Sequence, residues 1–411
     1  MRRLSLGMLV LCLAAMAFAV TKKRTPQRVR TPLRITAAQR AAARDEIARR
    51  LRAADLRIEN AEALAPFDEA LRAEGGPVHI LQFGDSHTAS DDWVNSMRLL
   101  LQTKYGDGGP GFVQAGRPYK GYRRFDAHGQ NSPGWRTEGT LALGGDANQG
   151  LSGVSISTEA AGQTVSLSAA GELLSLFYLR QPGGGALELT ADGQPLSTFT
   201  TEGETGAGIA EYTLPPGPHE LLLRTLDRAP VRLYGWALDN KQGLTFETLG
   251  INGAQASLLL GWSEAVWSAG VAARQPALVI LAYGTNEANS HRWTPEQYRA
   301  DLIAVLERVR RVAPQAAILM IGPPDCGKAQ PLLHLTDVIR AQRDLAREQN
   351  VAFWDWRRQM GGAGAIRLWV TAGYAQADHI HMTGEGYRMV GEMIVTSLLE
   401  KRQDEQAREN H

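Results

Sequence analysis

An α/β fold carried on a parallel sheet, with an all-β sandwich inserted into it, is what this chain of 411 residues predicts. Two observations predict it. Short apolar runs alternate with segments of helical periodicity on either side of the middle of the chain, the pattern of a parallel sheet covered on both faces. Between them lie short alternating runs separated by Gly, Pro and Asp, which is the texture of a sandwich. The length suggests two domains.

At the start, Arg2-Arg3, the apolar stretch from Leu4 and the Ala17-Phe18-Ala19 pattern give residues 1–19 the form of a signal peptide or short anchor. Lys22-Lys23-Arg24 behind it favours retention in a membrane. Residues 20–75 read as a basic linker and an Ala-, Arg- and Glu-rich helical extension, helical from Thr36 to about Ala73. The first part of the α/β domain, 76–121, holds the apolar run Val78-His79-Ile80-Leu81-Gln82 and a helix through Trp93 to Leu101.

The sandwich spans 122–243, with runs at Thr164 to Ser168, Leu174 to Leu179, Ala186 to Thr190 and His219 to Leu223, and a turn at Ala191-Asp192-Gly193. The second part of the α/β domain, 244–400, contributes runs at Ala277 to Tyr283, Ala317 to Gly322 and Val351 to Asp355. Helices are expected near Pro295 to Val312, about Leu335 to Gln349, and from Gly384 onwards. A charged tail, 401–411, closes the chain.

A net charge of +1 and the lack of a basic stripe with interleaved aromatics argue against nucleic-acid binding. Cleavage after Ala19 leaves Cys326 as the sole cysteine, so no intramolecular disulfide is expected. An export signal in an arginine- and alanine-rich chain fits a bacterial periplasmic or exported protein, held at the inner membrane if the segment stays.

The chemistry sits at the ends of the apolar runs, where ligands of open α/β sheets gather. Phe83-Gly84-Asp85-Ser86-His87 sets a serine where a buried strand meets a turn. Acyl transfer needs a nucleophile, a base, an orienting group and donors for the oxyanion. Ser86 supplies the first. In Asp378-His379-Ile380-His381 a carboxylate stands three residues before a histidine, so a single turn brings Asp378 against the far ring nitrogen of His381. Asn286, in Gly284-Thr285-Asn286-Glu287, offers a side-chain amide for developing negative charge, the stretch Leu249 to Ala256 offers a glycine N–H, and Ser86 offers its own N–H.

Other readings of these residues are weaker. His379 and His381 with Asp378 lack further ligands for a metal, so no metal or other cofactor is expected. His87 points away from its neighbour Ser86 and suits packing or substrate contact rather than the base. Asp85 with Glu287 as a glycosidase pair leaves Ser86 and Asn286 idle. Cys326 belongs to a turn, and Trp135, Tyr178, Tyr234 and Trp236 read as sandwich core rather than sugar platforms.

These four blocks resemble the SGNH (GDSL-type) hydrolase superfamily, in its order and at its strand ends. The resemblance implies a flavodoxin-like sheet flanked by helices, a catalytic set of Ser86, Asp378 and His381, and an oxyanion hole of Ser86, Gly253 and Asn286. Two departures stand out: His87 replaces the usual leucine, as in members acting on acetylated polysaccharides, and Gly253 lies closer to Asn252 than that family's second-block glycine often does.

Gly84 to Ala89, Leu100 to Phe112, the β-rich insertion and Gly250 to Ala254 together resemble bacterial peptidoglycan O-acetylesterases, in which a sandwich of carbohydrate-binding type joins the SGNH domain. The implied function is a serine esterase that removes O-acetyl groups from muramoyl residues, its partner being O-acetylated peptidoglycan or a related glycan. The alternatives are an O-acetyltransferase, an acetylesterase for another surface polysaccharide, and a non-catalytic glycan-binding protein.

Overall fold

The structure, a computed structural model, describes residues 35–53, 57–73, 75–141, 143–327 and 332–409. The expected signal or anchor, 1–19, lies outside the described residues. Among those described, no helix is long and apolar enough to cross a membrane.

Five parallel strands form the central sheet in the order Gly243–Gly250, Pro77–Gly84, Leu278–Ala282, Ala317–Ile321, Ala352–Trp354. Numbered along the chain this is 2-1-3-4-5, the flavodoxin-like order, whose switch point lies between Pro77–Gly84 and Leu278–Ala282. Leu278–Ala282, Ala317–Ile321 and Ala352–Trp354 read as unbroken apolar runs because both faces are covered, whereas Pro77–Gly84 carries His79 and Gln82 and Gly243–Gly250 carries Thr245, Glu247 and Thr248. Leu81, Phe83, Val279 and Leu281 enter one core with helices Glu264–Arg274 and Pro295–Val312. Ile80, Leu278 and Ile280 enter the opposite core with helices Asp92–Tyr105 and Gly384–Glu409. Successive side chains point to opposite faces, so a strand covered on both takes an apolar residue at every position, as Leu278–Ala282, Ala317–Ile321 and Ala352–Trp354 do.

The segment inserted after the first strand builds two antiparallel sheets. One runs Gly206–Thr213, Leu173–Arg180, Val231–Asp239, Ser155–Thr158, Arg136–Glu138; the other runs His128–Asn131, Thr164–Ala170, Pro218–Thr225, Ala186–Ala191, Gln194–Thr200. Leu174, Leu176 and Trp236 from the first meet Val165, Leu189 and Leu223 from the second in a shared core. Asp192 and Gly193, both at positive φ, make the tight hairpin between Ala186–Ala191 and Gln194–Thr200.

Three features differ from the sequence reading. Gly111–Gln114, within the stretch assigned to the α/β domain, pairs instead with Val231–Asp239 of the antiparallel sheet. That sheet is also apolar on its second face: Phe112, Phe177, Leu179 and Ala237 join the α/β core, and 37–411 form one compact unit. The extension is not one helix but helix Ala37–Ala53, a short 3-10 turn at Ala61–Leu64 and helix Ala65–Arg72. Glu59 is in extended pairing with Phe353 at the sheet edge, and Ala43, Ile47, Leu64 and Phe67 are buried in the core. Finally, the last helix continues to Glu409 through the tail, whose Glu, Gln, Ala and Arg residues favour helix.

Candidate active site

Strand register brings three chemistry-bearing loops together. Gly84 stands opposite Gly250 on one side and Ala282 on the other, at the carboxyl ends of three adjacent strands. Ser86, the Asn252-Gly253 turn and Asn286 each follow within four residues, so they emerge side by side at the switch point. Both glycines are required by close approach. A Cβ on Gly84 would lie 2.8 Å from the Ala282 carbonyl oxygen, and one on Gly250 would overlap the Ala89 backbone.

Ser86 starts the four-residue helix Ser86–Ala89, capped by Asp85, whose Oδ1 accepts the His87 N–H at 2.9 Å. Ser86 Oγ lies 2.9 Å from His381 Nε2, and His381 Nδ1 lies 2.7 Å from Asp378 Oδ2. The other oxygen, Asp378 Oδ1, accepts the N–H groups of Ile380 and His381 at 2.9 and 3.1 Å. His379, at φ 60°, makes this turn possible. One carboxylate thus shapes the turn with one oxygen and fixes the imidazole with the other. Despite partial burial, which raises it, the Asp378 carboxyl is held below its ordinary value by His381 and these N–H donors.

Asn286 donates from Nδ2 to the Ala254 carbonyl at 2.9 Å, tying its loop to the Gly253 turn and leaving its second amide hydrogen for another acceptor. Gly253 adopts φ +80°. A cleft of about 400 Å³ opens on Ser86 and His381, lined also by Asp92, Arg123, Asn252 and Gln376. Asn252, not Gly253, is the lining residue from that turn; the sequence alone gave no reason to prefer it. The lining is polar, and Arg123 reaches Asp92 across it at 3.4 Å.

His87 is buried behind the site. Its Nδ1 lies 2.9 Å from Tyr387 Oη, and its ring packs against Trp356 and His381 with centroids 5.1 and 5.3 Å away. Burial pushes it down to about 3, so it stays neutral, and its Nδ1 faces Tyr387 while His381 Nε2 is the nitrogen on Ser86. Tyr387 and Trp356, which hold His87, carry no motif of their own and were not legible as site residues. Cys326 is buried and its thiol is pushed up to about 12, and Trp135, Tyr178, Tyr234 and Trp236 are all buried.

Burial pushes the Asp85 carboxyl up to about 6, against the His87 N–H and Thr285, and pushes Glu287 up to about 7. A carboxyl with a higher value in the folded state binds more protons there, so its contribution to stability falls as pH rises. For Asp85 the window runs from 3.8 to about 6. Asp85→Asn keeps an acceptor for the His87 N–H but cannot ionise. The Tm of the variant, followed against pH, is expected to lose the part of the wild-type decline that falls in this window; identical slopes for the two proteins would show that Asp85 is not the titrating group.

Several known proteins are similar to this chain. The GDSL-like lipase/acylhydrolase family matches residues 209–389, a span that holds Asn286, Asp378 and His381; Ser86 precedes it, beyond the insertion. No curated protein matches. A solved structure of a peptidoglycan O-acetylesterase is 28% identical, with a TM-score of 0.72, covering 83% of this chain and 96% of its own. Two family-two carbohydrate esterases also match: one from Clostridium thermocellum with cellohexaose, 14% identical, covering 60% of this chain and 95% of its own, and one from Cellvibrio japonicus, 13% identical, covering 67% and 97%. Both have TM-scores of 0.30, too low to bear on the fold.

A flavodoxin-like sheet with a serine, histidine and aspartate hydrogen-bonded in series at its switch point is the arrangement of an SGNH-type hydrolase, and this chain, an esterase, carries a GDSL-like acylhydrolase domain over residues 209–389. Within that class it resembles the peptidoglycan O-acetylesterase over most of its length.

Proposed function

We propose that this esterase removes O-acetyl groups from peptidoglycan, the muramoyl 6-O-acetyl ester being the substrate. The observation that carries the reading is the continuous hydrogen-bonded chain from Ser86 Oγ through His381 to Asp378, opening on a polar cleft of about 400 Å³. A polar cleft suits a sugar bearing a small acyl group better than a long acyl chain. The 28% identical peptidoglycan O-acetylesterase supports the substrate class.

In this mechanism His381 Nε2 takes the Ser86 hydroxyl proton as Oγ bonds to the acetyl carbonyl carbon. The carbonyl electron pair moves onto oxygen, where the Ser86 and Gly253 N–H groups and the free amide hydrogen of Asn286 are the proposed donors. Collapse breaks the bond to the sugar oxygen, which takes the proton from His381 and leaves as the alcohol. Water then gives a proton to His381 and attacks acetyl-Ser86; acetate leaves and the proton returns to Oγ. Asp378 holds the ring with Nδ1 protonated and stabilises the imidazolium that forms twice per cycle.

The inserted sandwich is proposed as a carbohydrate-binding-type module that holds the glycan, and the chain as a periplasmic or exported protein on the strength of residues 1–19. Acetate release from O-acetylated peptidoglycan, acetylated xylan and a longer-chain ester, measured side by side, tests the reading. Peptidoglycan is expected to be the best substrate by kcat/KM. Preference for xylan or for the longer chain overturns the substrate; transfer to an added sugar at the expense of free acetate would make the chain an O-acetyltransferase.

A further inference from the structure

A second concavity is larger than the ester cleft. A cavity of about 790 Å³ opens between helix Ala37–Ala53, helix Leu335–Glu348 and the short helix Trp356–Gln359, and shares no lining residue with the cleft at Ser86. Among the described residues six arginines line it, Arg49, Arg50, Arg340, Arg343, Arg357 and Arg358, against one carboxylate, Asp355.

Their ion pairs reach mainly to carboxylates outside the lining. Arg49 and Arg50 share Glu46; Arg343, Arg347 and Arg358 share Glu59, with Arg343 also on Asp355; Arg340 pairs with Asp337 and Arg357 with Asp325. Among the described residues these pairs draw on Glu46, Glu59, Asp325, Asp337 and Asp355, of which only Asp355 belongs to the lining. The two kinds of arginine differ in freedom. Arg343 and Arg357 are fixed in place by the buried Asp355 and Asp325. Arg49, Arg50 and Arg340 are largely exposed, and exposed pairs hold their partners only weakly in water, so these side chains turn to a ligand at little cost.

We propose that this cavity is a binding site, separate from the ester cleft, for a soluble multivalent oxyanion: a chain carrying phosphate or carboxylate groups. Guanidinium forks match these groups bidentately, which lysines do not. The volume is in the range of ligand sites and takes several charged units. A concave floor of fixed arginines with a mobile rim suits a discrete chain lying in it rather than a flat lipid surface. The short helix Trp356–Gln359 separates the two sites, turning Trp356 against His87 and Arg357 and Arg358 into the cavity.

Calorimetric titration of the full chain at low salt tests the assignment, with inorganic tripolyphosphate as the phosphate probe and citrate as the carboxylate probe. At least one is expected to bind one-to-one, weakening as salt is added. The triple variant Arg49→Gln, Arg340→Gln, Arg358→Gln is expected to raise its Kd by about tenfold or more, with hydrolysis of a neutral acetate ester unchanged. Which probe wins identifies the anion. A control triple variant at exposed arginines elsewhere, Arg117→Gln, Arg136→Gln, Arg180→Gln, should leave Kd unchanged. Failure of both probes to bind, equal loss in the control, or binding only to phosphatidylglycerol vesicles overturns the proposal. None of these outcomes depends on the substrate of Ser86.

Discussion

Ser86→Ala is expected to lower kcat for acetate ester hydrolysis by about 10⁴-fold or more, leaving KM and the folded state little changed. The size follows from the serial geometry. Without Oγ there is no covalent intermediate, and His381 Nε2, now 2.9 Å from nothing, has no nucleophile to activate. The Ser86 N–H and Asn286 still bind the oxyanion, so a residue of catalysis over water persists. Asp378→Asn acts through the same chain and is weaker, because the serine remains. Acetate release by purified Ser86→Ala, together with failure of a fluorophosphonate to label it, checks the expectation. A variant retaining even a tenth of the wild-type rate removes the acetyl-serine mechanism, and with it the reading of every other residue in the site.

That site was legible before the fold because its parts are local. Asp378 reaches His381 within one turn, and Gly84 and Ala282 each close an apolar run, so two of the four blocks announce themselves by where a strand stops, while the strand ending at Gly250 carries Thr245, Glu247 and Thr248. Register then does what no single block can, setting the three strand ends level. What stayed hidden was assembled from distant pieces. Gly111–Gln114 is too short and too glycine-flanked to show which sheet it joins, and only its pairing with Val231–Asp239 decides. The extension's edge contact, Glu59 against Phe353, bridges nearly the whole chain. The arginine-lined cavity draws on residues from Arg49 to Arg358, none of which stands in a motif.

Another assembly of distant pieces is the one whose loss should cost most stability. Arg274, at the end of helix Glu264–Arg274, is 3% exposed and joins three other elements. Its Nη1 and Nη2 donate to the two oxygens of Asp239 at 2.7 Å each, its Nε to Glu247 Oε1 at 2.8 Å, and Nη2 lies 2.9 Å from His79 Nδ1. Asp239 ends a strand of the antiparallel sheet, while His79 and Glu247 sit on neighbouring strands of the parallel sheet, so one guanidinium fastens the insertion to the α/β core. His79, Asp239 and Glu247 have the composition and spacing of a metal site, their ligating atoms lying within 4.8 Å of one another, but the guanidinium fills the place an ion would take. Arg274→Met replaces that charge with an apolar chain of similar reach and leaves two carboxylates buried without a counter-charge. Breaking a buried pair in this way costs about 3–5 kcal/mol, and the cost should be read as a lower urea midpoint at unchanged slope. It should be largest at neutral pH, because burial already raises the Glu247 carboxyl and removing Arg274 raises it further, so acid relieves the variant by protonating it. Adding Asp239→Asn and Glu247→Gln to Arg274→Met is expected to restore part of the loss. If Arg274→Met alone were as stable as wild type, the cluster would be dispensable and the two sheets would be held together by apolar packing across Phe112, Phe177 and Leu179 alone.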